Sequence, residues 1–119
     1  MDRPLRLGIV GPCSAGKTTL AGGLSRLGYD ARAIAQEHSF APRMWRQITD
    51  PDVLVFLDVT FDVAQARRQL NWTPADLAEQ HRRLAHARAH CDFYLDTDPL
   101  TIEQVQVRVL EVLQAAGRA

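Results

Sequence analysis

Lysine is almost absent from this chain. Of its 14 Lys and Arg residues only Lys17 is lysine; every other fixed cation is arginine. Cysteine is scarce as well. Cys13 and Cys91 are too few for a disulfide framework and fit a reducing compartment. Charge of either sign is not in excess: 14 acidic residues balance 14 basic ones, and the pI is about 6.9. That balance excludes a global basic field that would recruit nucleic acid or an acidic membrane surface. No apolar run is long enough to span a bilayer, and the N-terminus lacks the apolar core of a secretory signal. Together these absences predict a cytoplasmic protein. Repeats and low-complexity segments are missing too. What is present is ordinary globular composition, 46% apolar over 119 residues, which predicts one domain over 1–119 with one core.

The most informative stretch lies near the start. Gly11-Pro12-Cys13-Ser14-Ala15-Gly16-Lys17-Thr18 fits G-x-x-x-x-G-K-[ST], the pattern of a phosphate-binding loop. A phosphate chain needs several backbone N–H groups converging on its oxygens. Gly11 and Gly16 permit backbone angles and close approach that a Cβ would block. A helix opening at Lys17 adds its positive dipole end. The apolar run Leu7-Gly8-Ile9-Val10 before the loop reads as a buried strand, and Thr19-Leu20-Ala21 with Leu24 and Leu27 as a helix after it. The expected phosphate-binding set is Gly11, Ser14, Ala15, Gly16, Lys17, Thr18 and Thr19, with Lys17 reaching the β- and γ-phosphates and the Thr18 hydroxyl ligating Mg²⁺. The single lysine sits where a compact ammonium on a flexible stem suits a phosphate. Cys13 reads as a tolerant loop position rather than a reactive thiol, because no resolving cysteine is close in sequence.

Further along, residues 29–35 read as a short strand and Arg43–Ile48 as a short helix or ordered loop. Trp45 reads as a hydrophobic plug over the sheet; the rival reading is a substrate-stacking Trp flanked by Arg43 and Arg46. Val53-Leu54-Val55-Phe56-Leu57 is apolar on both faces, as suits a central parallel strand, and Asp58 closes it. Helices are expected from Phe61 to Leu70, from Pro74 to His90 behind the Thr73 cap, and after the Thr101/Gln104 capping box. Residues 117–119 are expected to fray. His86, His90 and Cys91 have roughly metal-ligand spacing but lack a residue to complete a tetrahedral set. Alternating strands and helices imply a parallel sheet of four strands in the order 2-1-3-4, with the topological switch at the first strand.

Two later segments add a resemblance. Pro51 to Val59 with Asp62-Val63-Ala64 and Ala66-Arg67-Arg68 resembles the strand and helix before the lid of nucleoside monophosphate kinases and related P-loop kinases. Cys91 to Asp98 with Leu100 to Val105 is similar to that family's last strand, base-contacting loop and closing helix. With residues 5–27 the resemblance covers well over half of the chain. It implies a three-layer α/β/α fold, ATP and Mg²⁺, and transfer of the γ-phosphoryl group to a small acceptor such as a nucleotide or nucleoside. It places Arg67 against the base, the 97–100 segment with Asp98 beside it, and Arg82, Arg83 and Arg88 in the region of the lid. Asn71 stands where some members carry a further arginine. Residues 28–52 are too few for the family's acceptor-binding insertion and its Mg²⁺-organising acid. Glu37 is the first candidate to stand in for that acid, because its strand should lie beside the first; Asp58 is the second.

Other classes with this loop fit less well. A switch GTPase needs Asp-x-x-Gly and Asn-Lys-x-Asp, and the chain has one asparagine and one lysine. A transporter-type ATPase needs a Ser-Gly-Gly signature, which is absent. The reading is therefore a small kinase-like phosphotransferase using Lys17, Glu37, Asp58 and Arg67. The alternatives are a nucleotide-binding regulatory or partner module with little transfer, and a homodimer whose site is completed by Trp45 or Arg46 from the second copy.

Overall fold

A computed structural model describes residues 4–68 and 71–116. The elements in chain order are β1 (Arg6–Val10), α1 (Lys17–Arg26), β2 (Asp30–Ala33), a single 3-10 turn (Gln36–His38), α2 (Met44–Ile48), β3 (Val53–Asp58), α3 (Phe61–Arg68), α4 (Pro74–Arg83), α5 (Ala85–His90), β4 (Phe93–Asp96) and α6 (Ile102–Ala115). The four strands form one all-parallel sheet in the order β2-β1-β3-β4, as expected from the sequence. The expected ends of the 61–70 helix and of the chain (117–119) lie outside the described residues.

Period-two alternation along β3 divides the core. Val53, Val55 and Leu57 turn to one face, where Leu20 and Leu24 of α1, Ala64 of α3, and Val105, Val109 and Leu113 of α6 cover them. Leu54 and Phe56 turn to the other, where Ile34, Trp45, Leu84 and Ala87 close over them. Both faces are thus sealed, the usual condition of a parallel sheet. The edge strands are short, at four residues each. β2 carries an Arg32–Asp30 ion pair outward, a feature that discourages pairing with another chain. On the first face, α1 and α6 meet at Gly23, where a Cβ would run into the Gln106 side chain. The Gly22-Gly23 pair therefore serves close helix packing through its second member.

One helix differs from expectation. The stretch expected to run unbroken from Pro74 to His90 is two helices with a turn at Leu84. No Gly or Pro lies at the break; tertiary packing causes it. Leu84 is fully buried on the sheet. Ahead of it Leu77 and Gln80 face the loop side of the molecule, and after it Ala87 packs on the second face. Trp45 is 3% exposed, within that same cluster, so the plug reading holds and a stacking or cross-subunit role for its ring does not. Among the described residues, no helix is long and apolar enough to cross a membrane.

Candidate functional site

The 11–18 loop leaves the carboxyl end of β1 and runs directly into α1. Its path requires positive φ at three positions: Gly11 (150°), Ser14 (70°) and Gly16 (96°). A Cβ on Gly11 would overlap the Leu57 carbonyl of neighbouring β3, so glycine there lets the two backbones close up. Gly16 forms the N-cap of α1 in the left-handed conformation. No side chain caps this helix, and its first turn holds no acid. By contrast, α4 and α6 each begin with a reciprocal capping box, Thr73 with Asp76 and Thr101 with Gln104. The first N–H groups of an α-helix have no intrahelical acceptors, so α1 presents uncompensated donors and the positive end of its dipole.

These donors face a cavity of about 760 Å³. Ser14, Ala15, Gly16, Lys17, Thr18 and Thr19 line one wall. Glu37 and His38 arrive from the 3-10 turn. Parallel pairing brings them there, because β2 lies against β1 with Ala33 opposite Ile9, and the turn follows three residues later. Arg67 and Thr97 close a third side, and Leu100, Ile102 and Val105 supply an apolar end.

Lys17 is bound on three sides. Its Nζ donates to the Gly11 carbonyl at 2.8 Å, to the Pro12 carbonyl at 3.1 Å and to Glu37 Oε2 at 2.9 Å. Both members of the ion pair are nearly buried, with 11% and 5% of their side-chain surfaces exposed. The second carboxylate oxygen, Glu37 Oε1, is buried without a hydrogen-bond partner. His38 Nε2 lies 3.6 Å from Glu37 Oε2 and 3.6 Å from Cys13 Sγ. Gln80 of α4 reaches the same loop. Its Oε1 accepts from the Cys13 amide at 3.0 Å, and its Nε2 donates to Cys13 Sγ at 3.2 Å. Arg67 bridges two connections, donating to the Ser14 carbonyl and to the hydroxyl and carbonyl of Thr97.

The remaining expected site residues lie elsewhere. Asp58 lines a separate cavity of about 340 Å³, together with His81 and Tyr94. Its carboxylate takes hydrogen bonds from Tyr94 Oη (2.6 Å) and the Val59 amide (2.9 Å), and pairs with His81 Nε2 at 2.9 Å. Burial alone would raise the Asp58 pKa; the bonds from His81, Tyr94 and Val59 outweigh it and hold the carboxyl below its ordinary value. Burial and the same carboxylate push Tyr94 up to about 12. Asp98 accepts from the Thr60 amide at the start of α3 and does not line the large cavity. Arg82 pairs with Glu79, Arg83 with Glu79 and the Glu37 carbonyl, and Arg88 stacks on Tyr94. None of those three lines the cavity. His86 is turned to Trp45, whose indole N–H it accepts at 3.1 Å.

Gln80 was not singled out from the sequence. The signal is its position on the stripe Leu77, Gln80, Leu84, Ala87, where it is the one polar residue among buried apolar ones. No protein-family model, curated protein or solved structure matches this chain. The fold and site therefore stand as a four-stranded, all-parallel α/β domain with a loop-and-helix cradle at its carboxyl edge.

Proposed function

We propose that this chain binds a nucleoside triphosphate in the large cavity and transfers its γ-phosphoryl group to a small acceptor. The observation that carries the reading is the N-terminus of α1. It is uncapped, lacks a compensating acid, follows a loop bent by three positive-φ residues and opens into a cavity beside a lone lysine. Backbone donors, dipole and ammonium converge as a polyphosphate requires. The apolar end at Leu100, Ile102 and Val105, bordered by Arg67, suits a base. ATP is the expected donor.

The residues also suit Mg²⁺. Thr18 lies in the first turn of α1 at the cavity wall, and Glu37 brings a buried carboxylate oxygen with no other partner. Thr18 and Glu37 would hold the ion, which neutralises phosphate charge when bound. The chain's own part is positioning: loop amides fix the phosphates, Lys17 shifts its donors from Glu37 to phosphate oxygen, and Arg67 holds the 97–100 connection against the loop.

A second reading, nucleotide binding without efficient transfer, is favoured by one observation. Arg82, Arg83 and Arg88 are engaged away from the cavity, leaving Arg67 and Arg68 as the arginines at its wall among the described residues. Calorimetric titration with ATP and Mg²⁺ tests both readings. Replacing Lys17 with Met should weaken binding roughly 10–150-fold, the worth of about 1.5–3 kcal/mol of charge-assisted hydrogen bonding. Unchanged affinity in a folded variant would reject the site. Incubation with labelled ATP and a panel of nucleosides and nucleotides then separates the readings, since label transferred to an acceptor supports the kinase and binding without turnover supports the module.

A further inference from the structure

Cys13, Glu37 and His38 come together although no sequence spacing relates the first to the other two. Their ligand atoms all lie within 4.8 Å of one another. We propose that they form a binding site for a borderline-soft dication of the Zn²⁺ class, with an open coordination position toward the large cavity. This assignment does not rest on nucleotide binding.

Two of the three separations, those that involve His38, match a tetrahedral site. In a tetrahedral site with bonds of about 2.3 Å to sulfur and about 2.0–2.1 Å to nitrogen or oxygen, sulfur and nitrogen lie about 3.5 Å apart, and nitrogen and oxygen about 3.4 Å. Cys13 Sγ and His38 Nε2 are 3.6 Å apart, and His38 Nε2 and Glu37 Oε2 are 3.6 Å apart. A thiolate, an imidazole and one carboxylate select Zn²⁺ or Co²⁺ over Mg²⁺, which demands an octahedral oxygen shell. Three protein ligands with a free fourth position is the pattern of zinc sites that engage a further ligand. The three residues all border the cavity, so that position opens onto it.

The surroundings support the assignment. The Glu37 side chain is nearly buried, and its Oε1 has no partner. Gln80 Nε2 donates to Cys13 Sγ at 3.2 Å, an outer bond that orients a sulfur ligand. His38 is 60% exposed, so its ring can adjust without disturbing the core. The opposing charge is Lys17, held on Glu37 Oε2, and it retains the Gly11 and Pro12 carbonyls as acceptors when a cation takes the carboxylate. Binding replaces the thiol proton by the metal and releases that proton to solvent. The neighbouring His86–His90 pair, with rings tilted at 34°, offers no rival site, because His86 Nδ1 is already occupied by the Trp45 indole.

Co²⁺ titration of the chelator-treated full chain, without nucleotide, tests the assignment. One equivalent should bind with tetrahedral ligand-field bands and a thiolate-to-cobalt charge-transfer band, and Zn²⁺ should displace it. Cys13→Ser should abolish the charge-transfer band, and Cys91→Ser should retain it. His38→Ala, a change at an exposed position, should weaken binding at least roughly tenfold. Lys17→Met should tighten it by removing the competing cation. Absence of the band, its persistence in Cys13→Ser, or its loss in Cys91→Ser would overturn the proposal. Because nucleotide is absent, failure of the phosphate reading leaves these outcomes unchanged.

Discussion

Lys17 and Glu37 show how one residue pair couples stability to binding. From the sequence alone, Lys17→Ala is expected to remove phosphate binding and spare the fold. The structure adds a cost, because the lysine neutralises a carboxylate with only 5% of its surface exposed. Breaking one side of a buried ion pair leaves an uncompensated charge and costs about 3–5 kcal/mol. Lys17→Met should therefore lower the urea midpoint clearly, and Lys17→Met combined with Glu37→Gln should recover most of the loss. A double variant no more stable than the single would show that the pair is not coupled in the folded protein. Ser14 makes the opposite case. It is a non-glycine residue at φ 70°, and its Oγ is buried without a partner. A left-handed conformation costs a side-chain-bearing residue roughly 1–2 kcal/mol, partly offset by the greater freedom glycine has when unfolded. Ser14→Gly should raise stability by about 1 kcal/mol, and thermal unfolding of the purified variant reads this directly. Gly11→Ala should instead destabilise by at least about 2 kcal/mol, since its Cβ meets the Leu57 carbonyl rather than a movable side chain.

At the scale of elements, the informative unit is α2 packed against α5. The Trp45 indole donates to His86 Nδ1, so His86 must be neutral to accept it. Partial burial first, then the nearby charges of His90, Arg43 and Arg46, keep the His86 pKa below its ordinary value. Protonation therefore favours the unfolded chain. The contribution is fully present above an unfolded histidine's pKa of about 6.5 and is lost as pH falls through that value toward the folded one. The urea midpoint should drop between about pH 7.5 and about pH 5.5, and His86→Gln should flatten the drop. An identical slope in the variant would assign the effect to another group. This pairing was hidden in the sequence because its residues lie 41 apart and no periodicity relates them. The sheet was readable for the opposite reason. β3 is apolar at every position up to Asp58, so it had to be central, and the loop motif fixed β1 beside it. The break at Leu84 left no mark, because neither Gly nor Pro signals it; burying Leu84 between two packing directions does. Glu37 was reachable through strand adjacency. Its meeting with Cys13 and His38 was not, because only the folded loop brings sulfur and imidazole together.

The whole molecule places the 760 Å³ cavity where three connections leave the carboxyl ends of strands. The 11–18 loop follows β1, the 34–38 segment follows β2, and the 97–101 segment follows β4. Arg67 of α3 already ties the first to the third. A ligand seated there touches segments that lead into α1, α2 and α6 together, so its binding energy should stabilise the fold as a unit. A ligand at 100 times its dissociation constant adds about 2.7 kcal/mol to unfolding. For a domain of this size that corresponds to a rise in melting temperature of roughly 10 °C. If the uncapped α1 terminus supplies most of the recognition, inorganic triphosphate alone should produce a large part of the shift given by ATP with Mg²⁺. Adenosine should produce little. The reverse order, with adenosine as effective as ATP and triphosphate inert, would move recognition to the apolar end at Leu100, Ile102 and Val105 and leave the loop a structural turn. Differential scanning calorimetry on the wild type and on Lys17→Met decides between them, because only recognition through the loop makes the triphosphate shift depend on the lysine.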